Sequence, residues 1–258
     1  MEAAMAIAGS TARELIRGKS LYTVFFFAAA MLAVGALFGS VTIGDQVLVI
    51  KDFGLFSISI CGVAFAVVSG ASLLEKELAR KTIYNLLAKP VPRWQFIFGK
   101  FCGMYSTILL MITLMTMALQ AFLLLITHRL EWELWIGVYF AALELSIICS
   151  AALFFSSIVV TPLLSGLFTL GFFVAGRSAE YLLYFVEQGT VKGLLASILE
   201  GAYAILPQLA KLQVSNEIVF GLSEQSFERA LWGSLYAAGY SGGLLAFAVL
   251  FFRKRDFN

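Results

Sequence analysis

Several small constellations in this chain have residue types that could do chemistry. Gly18-Lys19-Ser20 matches the close of the phosphate-cradling loop G-x-x-x-x-G-K-[ST]. That loop works by aiming backbone amides at phosphates between a strand and a helix. Arg13 stands where its first glycine belongs and no strand-like run precedes it, so ATP is not held here by that device. Gly239-Tyr240-Ser241-Gly242-Gly243 fits the serine-nucleophile pattern G-x-S-x-G, but such a serine needs a positioned general base. The single histidine, His128, lies far away at the end of another apolar run. The small residues read instead as sites of close helix packing, as do Gly35 and Gly39. His128, Glu131 and Glu133 offer one imidazole and two carboxylates in a polar loop, too little for a zinc site. Cys61, Cys102 and Cys149 form no C-x-x-C pair and read as small buried hydrophobes. No catalytic residue, cofactor site or metal site is assigned, and the chain is not read as an enzyme by itself.

The elements that carry these residues are membrane helices. The 258 residues are 60% hydrophobic and 13% charged, with a mean hydropathy of +0.91. Soluble domains are about 45–50% apolar and about 25% charged, so a water-soluble globule and a disordered chain are both excluded. Crossing the hydrocarbon takes about 20 apolar residues as a helix. Six stretches are predicted to do so: 21–40, 53–74, 101–126, 134–155, 162–179 and 231–252. None alternates with period two, so the fold class is an all-α integral membrane protein and not a barrel. Glu144 is the one ionisable residue well inside a predicted span. It lies nine residues past Trp135, or about 13 Å along a helix, near the bilayer midplane. A carboxylate there is costly unless paired or wetted. It is either a polar point on a substrate route or a structural hydrogen bond, with Gln120 or Ser106 as candidate partners.

Charge placement orients the bundle. The N-terminus, the 75–100 loop and the C-terminus together hold 12 of the 18 Lys and Arg residues, with a net charge of +7 against −5 elsewhere. By the positive-inside rule both termini are cytoplasmic. The first apolar run is too long for a cleavable signal core and reads as an uncleaved anchor.

Three pieces lie between the spans. Residues 6–19 read as an amphipathic helix on the cytoplasmic surface. In the loop 75–100, Ala79, Ile83, Leu86, Leu87 and Pro90 share one helical face while Glu77, Arg80 and Lys81 fall on others. Pro90 and Pro92 end that helix. Its apolar stripe suits either lipid headgroups or a groove on another protein. Residues 180–230 carry acidic, interrupted apolar pieces that read as helices packed over the outer mouth of the bundle.

Taken together, these residues resemble the six-span permease subunits of ATP-binding-cassette exporters of the type-2 class, also called type V. They are most like the copper-enzyme-maturation group. The resemblance runs through Thr42-Ile43-Gly44-Asp45, Lys51-Asp52-Phe53-Gly54-Leu55, Leu74-Glu75-Lys76-Glu77 and Thr82-Ile83-Tyr84. It continues through Leu87-Ala88-Lys89-Pro90-Val91-Pro92-Arg93, Gly99-Lys100 and Ile205-Leu206-Pro207. It implies a single permease domain over residues 1–258 in a bacterial cytoplasmic membrane. Residues 6–19 would be the elbow helix and the 75–100 loop would hold a coupling helix docked on a separate ATPase subunit. ATP and magnesium would then belong to that subunit, with no cofactor in this chain. A second permease chain would complete the pathway, among membrane lipids and without nucleic acid. The coupling contacts implied are Glu77, Arg80, Thr82, Ile83, Leu86, Leu87, Lys89, Pro90, Arg93 and Lys100, with Glu144 and Gln120 along a substrate pathway. A proton-coupled carrier or channel using Glu144, or a non-transporting scaffold, is the alternative. No Met/Cys/His cluster suited to a soft metal is present, and lipids, lipid-linked sugars, drugs and peptides are all compatible substrates.

Overall fold

The computed structural model describes residues 2–17, 46–79, 92–159, 161–181, 194–213 and 227–254, with isolated positions between 22 and 37 and at 184. Seven helices are described: α1 (Glu2–Leu15), α2 (Gln46–Ala79), α3 (Arg93–Thr127), α4 (Glu133–Ile158), α5 (Pro162–Arg177), α6 (Leu194–Ile205) and α7 (Phe227–Lys254). A 3-10 turn covers Leu209–Leu212.

The sequence predicts six spans, and the structure corrects this. Among the described residues four helices are long and apolar enough to cross a membrane: α2, α3, α4 and α7. The predicted fifth span, 162–179, is a helix of 16 residues. At 1.5 Å per residue it covers about 24 Å, short of the roughly 30 Å hydrocarbon core. Pro162 opens it, where a missing amide donor costs nothing, and it closes at Ser178. The predicted first span, 21–40, lies largely outside the described residues, as does the core of the 75–100 loop. The four long helices overrun their apolar cores. Helix α2, for example, extends to Gln46 and Ala79 where 53–74 is predicted.

Helix α4 is the centre of the bundle. It meets α2, α3, α5, α7 and the 3-10 turn. Leu145, Ile147, Ile148, Cys149, Ala151, Ala152 and Leu153 are all fully buried. Such a helix, apolar nearly all round, must be covered on every side by lipid or by protein, and here its middle is covered by other helices. Small residues let its neighbours approach: a Cβ on Gly62 would meet the Leu145 side chain at 2.6 Å, and one on Gly70 would run into the Ala152 Cβ. In a membrane such close approach is the main source of packing attraction between helices.

Helix α1 covers Glu2–Leu15, where a surface helix over 6–19 is predicted, and its buried face is covered by another helix. Ala4, Thr11 and Leu15 are buried along one side. A Cβ on Gly99 of α3 would meet the Ala4 carbonyl at 2.9 Å, and one on Gly103 the Ala8 carbonyl at 2.6 Å. So α1 is docked on the first turns of α3.

Candidate functional site

Two regions hold the residues singled out by sequence. At the Arg93 end, the predicted 75–100 loop is divided: 75–79 continue α2, 93–100 open α3, and 80–91 lie outside the described residues. Of its candidate contacts, Glu77 lies in the last turns of α2. Arg80, Thr82, Ile83, Leu86, Leu87, Lys89 and Pro90 lie outside the described residues. Arg93 and Lys100 are both seen. Arg93 Nη1 donates to the Phe252 carbonyl oxygen at 3.0 Å, joining the start of α3 to the end of α7. The Phe96 and Phe252 rings stack beside it, 5.8 Å between centroids. Lys100 is buried with its Nζ 5.8 Å from the Phe96 ring centroid, within cation–π range. With α1 seated on Gly99 and Gly103, three helices are locked together within the first three turns of α3.

The second region lies deep between α2, α4, α5 and the segment after the 3-10 turn. Glu144 is 2% exposed. Its Oε2 accepts a hydrogen bond from Ser59 Oγ at 3.2 Å. Its Oε1 faces Arg177 Nε at 3.7 Å, and that Nε–H is donated to Gln213 Oε1 at 3.1 Å. The guanidinium also lies over the Phe173 ring at 5.3 Å. Three helices thus meet at one buried carboxylate, with Gln213 joined to it through Arg177; among the described residues Oε1 has the cation nearby and no hydrogen bond of its own. A cavity of about 20 Å³ adjoins Ser59, Glu144, Arg177 and Gln213, room for about one water.

The partners differ from those predicted. Ser106 donates instead to the Gly103 carbonyl oxygen. The Gln120 amide spans the Glu131 backbone, accepting from its N–H at 2.8 Å and donating to its carbonyl at 3.1 Å. Glu131 also pairs with Lys51 at 2.7 Å, tying the start of α2 to the loop between α3 and α4. Sequence reasoning missed Ser59, Arg177, Gln213 and Lys51. Arg177 carried the one usable signal, a cation closing an apolar run in a region otherwise rich in acids.

The remaining motifs settle into structural roles. Ser241 is buried and donates to the Ala237 carbonyl oxygen at 2.6 Å. His128 caps the far end of α3 in the left-handed region, φ 53°. Among the described residues no three His, Cys, Asp or Glu side chains gather as a metal would need.

Beyond these elements, a wider cavity of about 600 Å³ opens at the Glu133 end, with Lys211, Gln213, Arg229, Trp232 and Tyr236 among its walls. Residues 4–176 match the family model of ABC-2 family transporter proteins. No curated protein matches the chain. The match covers more than half of the residues, from α1 almost to the end of α5, and the chain belongs to that family.

Proposed function

We propose, from this membership, that the chain is the permease of an ATP-driven exporter in a bacterial cytoplasmic membrane, similar to the copper-enzyme-maturation group. Residues 1–258 form one permease domain and pair with a second permease chain to make the substrate pathway. The energy comes from a separate ATPase subunit, which binds the ATP and magnesium. That subunit docks on the 75–100 loop, where Ile83, Leu86 and Leu87 supply apolar contact and Glu77, Arg80 and Arg93 orient it, supported by Thr82, Lys89, Pro90 and Lys100. Glu144 and Gln120 are polar points along the pathway, and α1 serves as the elbow helix.

The family match carries the reading, since it spans both helices that flank the loop. The geometry at the Arg93 end supports it physically. A push delivered to the start of α3 reaches α1 and α7 directly, because Arg93, Phe96, Gly99 and Gly103 join all three. A loop feeding a loose end would lose that displacement to local bending.

The test is a mild-detergent pull-down of tagged chain from native membranes, with stoichiometry and ATP hydrolysis recorded together. An ATPase at one copy per permease is expected. Glu77→Lys and Arg93→Glu should lower coupled hydrolysis while the chain stays in the membrane. A chain that purifies alone, or variants that couple normally, would sink the docking assignment.

A further inference from the structure

The buried Glu144 cluster and the open cavity at the Glu133 end share a wall. Leu212 and Gln213 line both the wider cavity, of about 600 Å³, and the small one beside Glu144, of about 20 Å³. The wider cavity is open to solvent, since Trp232 on its wall is 64% exposed and Lys211 is exposed as well. On the inner side of the wall, Gly137, Ala141 and Glu144 follow i, i+4, i+7 spacing and so share one face of α4. The two small residues leave room on that face between Glu144 and the Glu133 end, about 16 Å away along the helix. Toward the Arg93 end the same face continues as Ile148 and Ala151, both fully buried. Space beside the carboxylate therefore opens in one direction.

The small cavity has a polar demand of its own. Glu144 Oε1 is buried and makes no hydrogen bond, while Oε2 accepts from Ser59 and the Arg177 Nε–H goes to Gln213. An ionised oxygen so placed lacks a donor and a protonated one would lack an acceptor, and a buried polar group in either condition is costly. One water serves both states, because it donates and accepts. A water needs at least about 10–15 Å³ and roughly two to four polar partners. Its partners stand on the cavity walls: the Glu144 carboxylate, the Ser59 hydroxyl, the Arg177 guanidinium and the Gln213 amide. A metal cation is disfavoured with the Arg177 Nε already 3.7 Å from Oε1, and an organic ligand is too large. Gln213 has the chemistry to hand water across the wall. Its oxygen is engaged by Arg177, and its amino group brings two further donors.

We propose that a water molecule bound at Glu144 exchanges with the solution at the Glu133 end by way of Gln213. The buried carboxylate is thus wetted from one end of the bundle. The proposal uses no step of the transport reading and holds with or without an ATPase subunit.

The experiment is X-ray radiolysis of the full-length chain in lipid nanodiscs, rapidly mixed with oxygen-18 water under argon and read by peptide mass spectrometry. Radiolysis turns a water into a hydroxyl radical, which adds its oxygen to a ring beside it. Phe56 lines the small cavity and Phe168 lines neither, and both are 50% exposed. Phe56 should be hydroxylated well above Phe168, and with oxygen-18. Gln213→Leu should slow the arrival of oxygen-18 at Phe56 about tenfold, the effect of one hydrogen bond lost from the passage. Gln213→Asn keeps the amide and should exchange at least as fast as the wild type. Lys211→Gln, on the open wall of the wider cavity, should leave exchange unchanged. Phe56 no more oxidised than Phe168 would show a dry cavity, and oxidation with oxygen-16 alone would show a sealed water. Either result overturns the proposal on the wild-type chain, whatever the variants do. Unchanged exchange in Gln213→Leu, or equal slowing in Gln213→Asn, would overturn it too, because the amide would then not carry the passage.

Discussion

The two ends of the bundle are held together by different physics. At the Arg93 end most joints are apolar and steric, Phe96 stacking on Phe252 and two glycines of α3 admitting the backbone of α1, with one hydrogen bond from Arg93 to the Phe252 carbonyl beside them. At the Glu133 end they are polar: Glu144 with Ser59 and Arg177, Arg177 with Gln213, Lys51 with Glu131, and Tyr139 with Ser234 at 2.6 Å. Steric joints transmit displacement whatever the surrounding charge. Polar joints are directional and can exchange partners, and in a low-dielectric interior they become costly when half of one is lost.

The largest expected effect tests the polar end. Glu144→Gln removes the charge that faces Arg177, which keeps Gln213 and Phe173, and should cost about 1.5–3 kcal/mol. Glu144→Gln combined with Arg177→Gln should recover part of that loss, measured as thermal unfolding in detergent. Equal stability of the single variant and the wild type would show that the carboxylate holds nothing together. Next comes Gly103→Val. Its side chain has to displace the Ala8 carbonyl and Thr11, so about 1–3 kcal/mol is expected. In the reading proposed above, it should also lower coupled ATP hydrolysis without lowering ATPase capture, because α1 loses its seat while the loop is untouched. Phe252→Leu removes one ring of a stacked pair and should cost roughly 0.5–1.5 kcal/mol beyond its lost area. The smallest is Lys51→Met, about 1 kcal/mol or less because both partners retain some exposure. If Lys51→Met proved more damaging than Glu144→Gln, the polar end would be anchored at its rim and not at its depth.

How much of this was legible in the sequence follows from what each signal measures. Long apolar runs reveal α2, α3, α4 and α7, because hydrocarbon thickness sets a minimum length. Their true ends were not legible, since Gln46, Lys51 and Arg93 extend a helix as readily as apolar residues do once past the hydrocarbon. Residues 162–179 read as a span because apolarity does not fix a helix's length, which here stops at 16 residues between Thr161 and Ser178. Glu144 stood out because a lone carboxylate in an apolar run has to be answered by something. Its partners did not: Ser59 and Arg177 come from other helices, and only packing determines which faces meet. The face of α1 was readable as amphipathic, but that it rests on two glycines of α3 was not, since a glycine is silent about what approaches it.

The sealed position of α4 also makes the chain its own reporter. Cys149 sits at the centre of that helix, fully buried, whereas Cys61 on α2 and Cys102 on α3 are half-buried. The three native thiols therefore fall into two classes, one sealed and two partly exposed. A small maleimide reacts with a thiolate in water, so Cys102, at the edge of the apolar run 101–126, should label from the intact bundle, whereas Cys61 inside its span and Cys149 should label only when water enters between the helices. Opening of the core can be timed, in purified protein or in native membranes, without introducing a single engineered residue.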